Sequence, residues 1–531
     1  MSVRNALVLL VALSALGFLA ACGGSSSPAP QAPPSGGLSA SNLNGTYVFS
    51  TAGQDSAGDF ITMVGSLAAN GSGGVTGGTV DIFSADVVAA AQPITGGNYK
   101  ITADGRGQLN FNTTVITANG NTGATFTLDF VLISNSHGLV TEYDINGTGS
   151  GTIDLQSTVS QSQIAGSFAF GVSGTGNTAG ASPFATVGAF TLGSTGAVTA
   201  GVEDVNNDTT YSTGSIATTS TVSLASAPGT ATIVSSLGTS YSFDVYPIDS
   251  THFKLIQVDG NLFVSGDAYA QAASIPTGQL VFTMSGENLS AGSPLDVGGY
   301  LTNSGGTVTA GLEDFNDGGN VSQATAVTGS FGTLTGGRST LGLSGFVNGA
   351  ASDVPGAYTF AAYPFTAGGV TGIELLEIDG AGITSGTAYA QTATTLAASQ
   401  GFGLNLTGIN TSGEEDDIAE FTTTTTGFSG LVDLNDYIGG ATQQTFDKAL
   451  TGSFPSAVDA NGRGTATSNF FTFDFYTVTS STYLVLETDA GQVGAGVFEQ
   501  QGGTSGIPAD QPAASLLHPA FRAHIRKQKK I

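Results

Sequence analysis

The chain repeats itself four times, and that repetition limits what it can fold into more than any other feature. The triplets Glu142-Tyr143-Asp144, Gln257-Val258-Asp259, Glu377-Ile378-Asp379 and Glu487-Thr488-Asp489 recur at successive offsets of 115, 120 and 110 residues. The same offsets separate Gly151, Gly266, Gly386 and Gly496, and again Gln156, Gln271, Gln391 and Gln501. Near the middle of each unit, Asp204-Val205-Asn206 aligns with Asp314-Phe315-Asn316 and Asp433-Leu434-Asn435, and more faintly with Asp81. Self-similarity at a steady spacing means one supersecondary unit built several times over. The units span residues 43–157, 158–272, 273–392 and 393–502.

Within a unit the hydrophobic period is two. Phe253 and Leu255 alternate with Lys254, while Tyr241, Phe243 and Val245 alternate with Ser242 and Asp244. Such alternation, rich in Thr, Val, Phe and Tyr, is the pattern of a half-buried strand. Asn70-Gly71, Asp104-Gly105, Asp259-Gly260, Asp379-Gly380 and Asn461-Gly462 supply hairpin chemistry between the runs. No segment of the repeats carries a helical stripe with caps at both ends. The expectation is an all-β chain of four tandem antiparallel β domains, each about 110 residues. These are small up-and-down barrels or β-sandwiches, and the meander of hairpins favours the barrel.

Before the repeats, Arg4 is followed by the apolar run 6–21, which ends in Leu19-Ala20-Ala21-Cys22-Gly23. This resembles the lipobox of bacterial lipoproteins, whose signal peptide is cut before the Cys. The resemblance covers only the first 23 or so residues. It implies that 1–21 is a signal peptide, that Cys22 becomes the lipidated N-terminus, and that the protein sits in the outer membrane, since Gly rather than Asp follows the Cys. Several acyl chains make such an anchor effectively permanent. Residues 22–42 join the lipidated Cys to a Ser/Pro/Gly tether able to extend on the order of 65 Å. The repeats also resemble secreted Gly/Thr-rich bacterial repeat lipoproteins, a likeness that carries no mechanism. Beyond the repeats, residues 503–531 end in Arg522, Arg526, Lys527, Lys529 and Lys530, read as a solvated basic tail.

Composition narrows the function. The 12 Lys+Arg against 39 Asp+Glu leave a net charge of −27, which argues against a nucleic-acid partner. A single Cys excludes intrachain disulfides and Cys-based zinc sites. There is no nucleophile elbow, HExxH helix or P-loop. His137 and His252 share a repeat column and read as surface residues at strand ends. The Glu-x-Asp column reads as architecture, with Glu exposed or facing a barrel mouth and Asp opening the hairpin. Glu414-Glu415-Asp416-Asp417, present in one repeat alone, reads as a solvated loop cluster.

One acidic pattern has a chemical reading. Asp204, Asn206 and Asp208, then Asp314, Asn316 and Asp317, then Asp433, Asn435 and Asp436, place oxygen donors on alternate or adjacent positions. Ca²⁺ takes roughly six to eight oxygen ligands, so these nine residues are candidate calcium ligands, with turn chemistry as the plainer account. The functional expectation is a non-enzymatic, lipid-anchored cell-envelope protein. Its repeated β modules would give structural or adhesive binding of glycan, envelope polymer or protein. A carrier of small apolar ligands inside the barrels is the alternative, and a polysaccharide-active enzyme the third.

Overall fold

The computed structural model describes residues 37–116, 122–177, 182–207, 210–347, 356–438 and 441–503. Cys22, Asp208 and the basic tail lie outside them. Among the described residues there is no α-helix, only two 3-10 turns (Ala40–Asn42 and Gln161–Ile164) and β-strands in four antiparallel sheets.

Each repeat makes one barrel, built as a meander. The first and fourth barrels are closed rings of eight strands, running from Asn44–Asp55 to Gly147–Leu155 and from Gly401–Asn410 to Gln492–Gln500. The third closes through pairing of Ser293–Ser304 with Thr307–Asp317, and the strand Asn320–Ala326 lies against the latter. The second has the thinnest wall. Between its strands Thr210–Ser215 and Thr221–Ser223 the sheet is held only by isolated bridges, Ala197 to Thr221 and Ile216 to Ser235. The Asn-Gly and Asp-Gly turns form as their sequences predict, with φ of 71° at Gly71, 89° at Gly105 and 72° at Gly260.

The repeated glycine marks where each barrel shuts. The last strand of every unit pairs with its first, placing Gly151 opposite Thr51, Gly266 opposite Val172, Gly386 opposite Met284 and Gly496 opposite Leu406. A Cβ at these glycines would lie 1.9, 2.0, 2.2 and 2.3 Å from a carbonyl oxygen of the facing strand. A side chain cannot fit there without parting the closing strands.

Phenylalanine fills the lumens. In the fourth barrel Phe402, Phe421, Phe473, Phe475, Tyr483 and Phe498 interlock, with Tyr483 stacked on Phe498 at 4.5 Å. Outer faces are buried too. Val48, Phe60, Val64 and Phe83 of the first barrel meet Tyr246, Ile248, Ile256 and Phe263 of the second. A larger cluster joins the second, third and fourth, and Val131, Ile133 and Leu139 return the first to Ile418 and Val497 of the fourth. The four barrels therefore close into a ring within one compact unit.

This corrects one inference from periodicity. The alternation is real, but its polar members do not face water where the strand also faces a neighbouring barrel. His137–Tyr143 and Thr482–Glu487 are buried along their whole length, and Lys254 is only 3% exposed.

Gly386→Val should prevent the third barrel from closing. The expected result is a loss of about 3 kcal/mol or more in urea unfolding, or an insoluble chain; a stability within about 0.5 kcal/mol of the parent would contradict the close-approach account.

Candidate functional site

The polar residues singled out by the repeats converge on the seams between barrels. The outward-facing aspartates lead. Asp204 of the second barrel accepts from Arg338 Nε and Nη2 of the third at 2.6 and 2.8 Å, and from Tyr363 Oη at 2.6 Å. Asp314 of the third does the same with Arg463 at 2.7 and 2.9 Å and with Tyr476 of the fourth at 2.5 Å. Asp433 of the fourth accepts from Arg106 of the first at 3.1 Å, which closes the circle. At the remaining seam Asp81 accepts from Tyr246 at 2.5 Å, and the position aligned with the arginines is Pro228.

The asparagine two residues on donates into the next barrel. Asn206 Nδ2 reaches the carbonyls of Glu377 and Gly382, Asn316 those of Glu487, Asp489 and Gln492, and Asn435 those of Glu142 and Gly147. The repeat-ending glutamines complete the set. Gln156 Nε2 donates to Pro247 O, Gln271 to Gly337 O, Gln391 to Asn461 and Thr477 O, and Gln501 to Asp104 and Leu132 O. The aspartate, asparagine and glutamine columns of the repeat are thus contacts between successive units.

Of the nine candidate calcium ligands, six face a neighbouring barrel in this way. Asp317 stays within its own barrel, accepting from Ser293 and Asn288, and Asp436 lies cross-strand from Glu415. Asp208 is outside the described residues. Among the described residues no group of three or more His, Cys, Asp or Glu is arranged to hold a metal ion.

The Glu-x-Asp column divides. Its aspartates open the hairpins as expected: Asp144, Asp259, Asp379 and Asp489 accept from the amides of Asn146, Asn261, Ala381 and Gly491. Its first members are not exposed. Glu142, Gln257 and Glu377 are wholly buried and Glu487 is 1% exposed. Nor is the acidic run a solvated loop. It begins the strand Glu414–Thr423, with Asp416 accepting from Thr148 and Ser150 of the first barrel at 2.6 and 2.7 Å. The histidines are also internal. His137 bridges Asp154 at 2.7 Å and Glu499 of the fourth barrel at 2.8 Å, while His252 and Lys254 both contact Asp267. Neighbouring barrels cover surfaces that a single repeat would leave open to water.

The arginines were the signal that sequence reading missed. Residues 43–502 hold only three, Arg106, Arg338 and Arg463, and all three follow a Gly in the same repeat column.

With few cations available, carboxyl groups face carboxyl groups. Asp81 touches Asp244 at the first seam, Asp267 lies near Glu374 at the second, Asp296 near Glu487 at the third, and Glu142 near Glu414 at the fourth. Burial holds Asp296 up to about 7 and Glu374 to about 8, the latter with help from Asp267. Burial and then Asp81 hold Asp244 at about 7. Burial alone would lower the His137 imidazole, but Glu499 and Asp154 outweigh it and keep it at about 10.

Among the described residues, a cavity and a groove have room for a ligand. A partly open cavity of about 100 Å³ lies where the first three barrels meet, among Lys254, Asp267, Glu374 and several Ser and Thr residues. A wider groove of about 490 Å³ opens at the rim of the second barrel, bordered by Phe184, Leu237, Tyr241, Asn207, Ser212 and Asn261. No protein-family profile matches the chain, and no curated protein is significantly similar to it.

The raised carboxyls fix a pH dependence. A group whose folded pKa exceeds its unfolded value near 4 contributes stability fully present below pH 4 or so, and lost as pH rises through the folded value. Asp244, Asp296 and Glu374 titrate at about 7, 7 and 8, so the urea midpoint should fall between pH 5.5 and 8.5. Asp154, held below its ordinary value by His137 despite burial, acts in the opposite sense only at lower pH. A midpoint that rises across that interval would contradict proton-bearing seams.

Proposed function

We propose that the chain is a lipid-anchored cell-envelope protein whose ring of barrels is a preorganised, non-enzymatic platform for structural or adhesive binding, with glycan the favoured partner over protein. The supporting observation is the groove at the rim of the second barrel. It sets apolar faces, Phe184, Leu237 and Tyr241, beside the amides of Asn207 and Asn261 and the hydroxyl of Ser212. Sugars present one apolar face and a fringe of hydroxyls, so amides and hydroxyls around an aromatic floor suit them. The same barrel has the thinnest wall, which leaves this rim uncovered by a continuous sheet. An apolar-ligand carrier draws little support from its interior, where about 20 Å³ is free; a single water needs roughly 10–15 Å³.

A glycan array followed by calorimetric titration of the strongest sugar tests the groove. Asn207→Ala and Leu237→Asp should each weaken binding about tenfold, which is about 1.4 kcal/mol, with an unchanged melting point. Undiminished binding in both would place the glycan site elsewhere, and an array without signal would remove the reading.

The anchor is tested separately. Cys22→Ser should abolish incorporation of labelled palmitate and move the protein from the membrane to the soluble fraction. Retention of both would show that the Cys is not lipidated.

A further inference from the structure

The cavity where the first three barrels meet is polar: its charges are balanced internally, yet two of its deeply buried polar groups have no partner. Lys254 Nζ lies 3.2 and 3.4 Å from the two oxygens of Asp267, and His252 Nε2 is 2.5 Å from the same carboxylate. Glu374, contributed by the third barrel and 6% exposed, has no hydrogen-bond partner for Oε1. Thr387, 2% exposed on the adjoining strand, has none for Oγ1. Both line the cavity. A buried polar group without a partner costs about 1–3 kcal/mol, so two in one cavity mark a place built to be filled by something that hydrogen-bonds.

The chemistry of the walls selects the occupant. An anion would face Asp267, and a cation would face Lys254. An apolar molecule would leave Oε1 and Oγ1 as they are. Burial keeps Glu374 protonated below about 8, which makes it donor and acceptor at once. Other wall groups are hydroxyls, among them Ser50, Ser173 and Ser385. Space is also kept open deliberately: a Cβ on Gly171 of the second barrel would sit 2.9 Å from Glu374 Oε2. The volume of about 100 Å³, at roughly 10–15 Å³ per water-sized group, accommodates roughly seven to ten non-hydrogen atoms.

We propose that this cavity binds a small neutral polyol of three or four carbons, held through Glu374 and Thr387. The site is separate from the rim groove and requires neither that groove nor the lipid anchor. Glycerol and erythritol have six and eight non-hydrogen atoms, neither exceeding what that volume holds. A hexopyranose, with twelve, is too large for it.

The test is saturation-transfer NMR and thermal melting of the full chain, in buffers free of glycerol, titrated with glycerol, with erythritol and with 1-propanol as the apolar control. Saturable binding of erythritol or glycerol but not propanol is expected, with a higher melting point. Thr387→Val, which keeps the side-chain shape, and Gly171→Ala, which fills the space beside Glu374, should each weaken it at least tenfold. Glu374→Leu should abolish it; should that variant fail to fold, Thr387→Val and Gly171→Ala decide. Absence of saturation by either polyol, equal response to propanol, or undiminished affinity in both Thr387→Val and Gly171→Ala would each overturn the proposal.

Discussion

Every barrel completes itself by reaching into the next one. The terminal glutamine, the mid-unit aspartate and the asparagine two residues later each keep a bond for the second unit, which supplies carbonyls, a tyrosine or an arginine. Because the fourth unit finds those partners on the first, the dependence is circular. The apolar clusters at the seams would support association of almost any two greasy sheets, whereas these directional bonds fix which strand meets which and at what angle.

The ring explains a composition that looks odd for a soluble β protein. A free-standing barrel would need a charged exterior, but here much of each exterior is interior to the ring. Threonine, serine and protonated acids serve at the seams because, being uncharged, they demand no counterions, and the few arginines go where a carboxylate is buried. Leaving such a carboxylate unpaired would be far costlier than omitting the pair altogether. The seam with Pro228 in place of arginine shows the second solution: two carboxyls, Asp81 and Asp244, meet directly under a tyrosine hydroxyl.

Much of the architecture was legible from sequence. Repeat columns gave the units, alternation gave strands, and Asn-Gly and Asp-Gly gave the turns that form at Gly71 and Gly260. What sequence could not show was the second partner of each strand. Lys254, Glu142 and the run from Glu414 look solvated when one repeat is considered alone, and only the adjoining barrel buries them. The Asp-x-Asn pattern carried information of the right kind, oxygen and nitrogen groups held in fixed relation, but its destination was a neighbouring backbone. Glu374 gave no signal, since its repeat column holds Leu139, Lys254 and Leu484, and Thr387 shares its column with Thr152 and Asp267 but not with the fourth unit's Val497.

The two ends of the described chain leave the ring at one corner. Leu38 donates its amide to Ala103, Gln501 donates to Asp104 and Leu132, and Gly502 donates to Ile133. A tensile load between these ends is therefore borne by a handful of bonds around two turns of the first barrel. The second and third barrels lie off the line of force, so the corner could yield under tension while the remaining circuit keeps its shape.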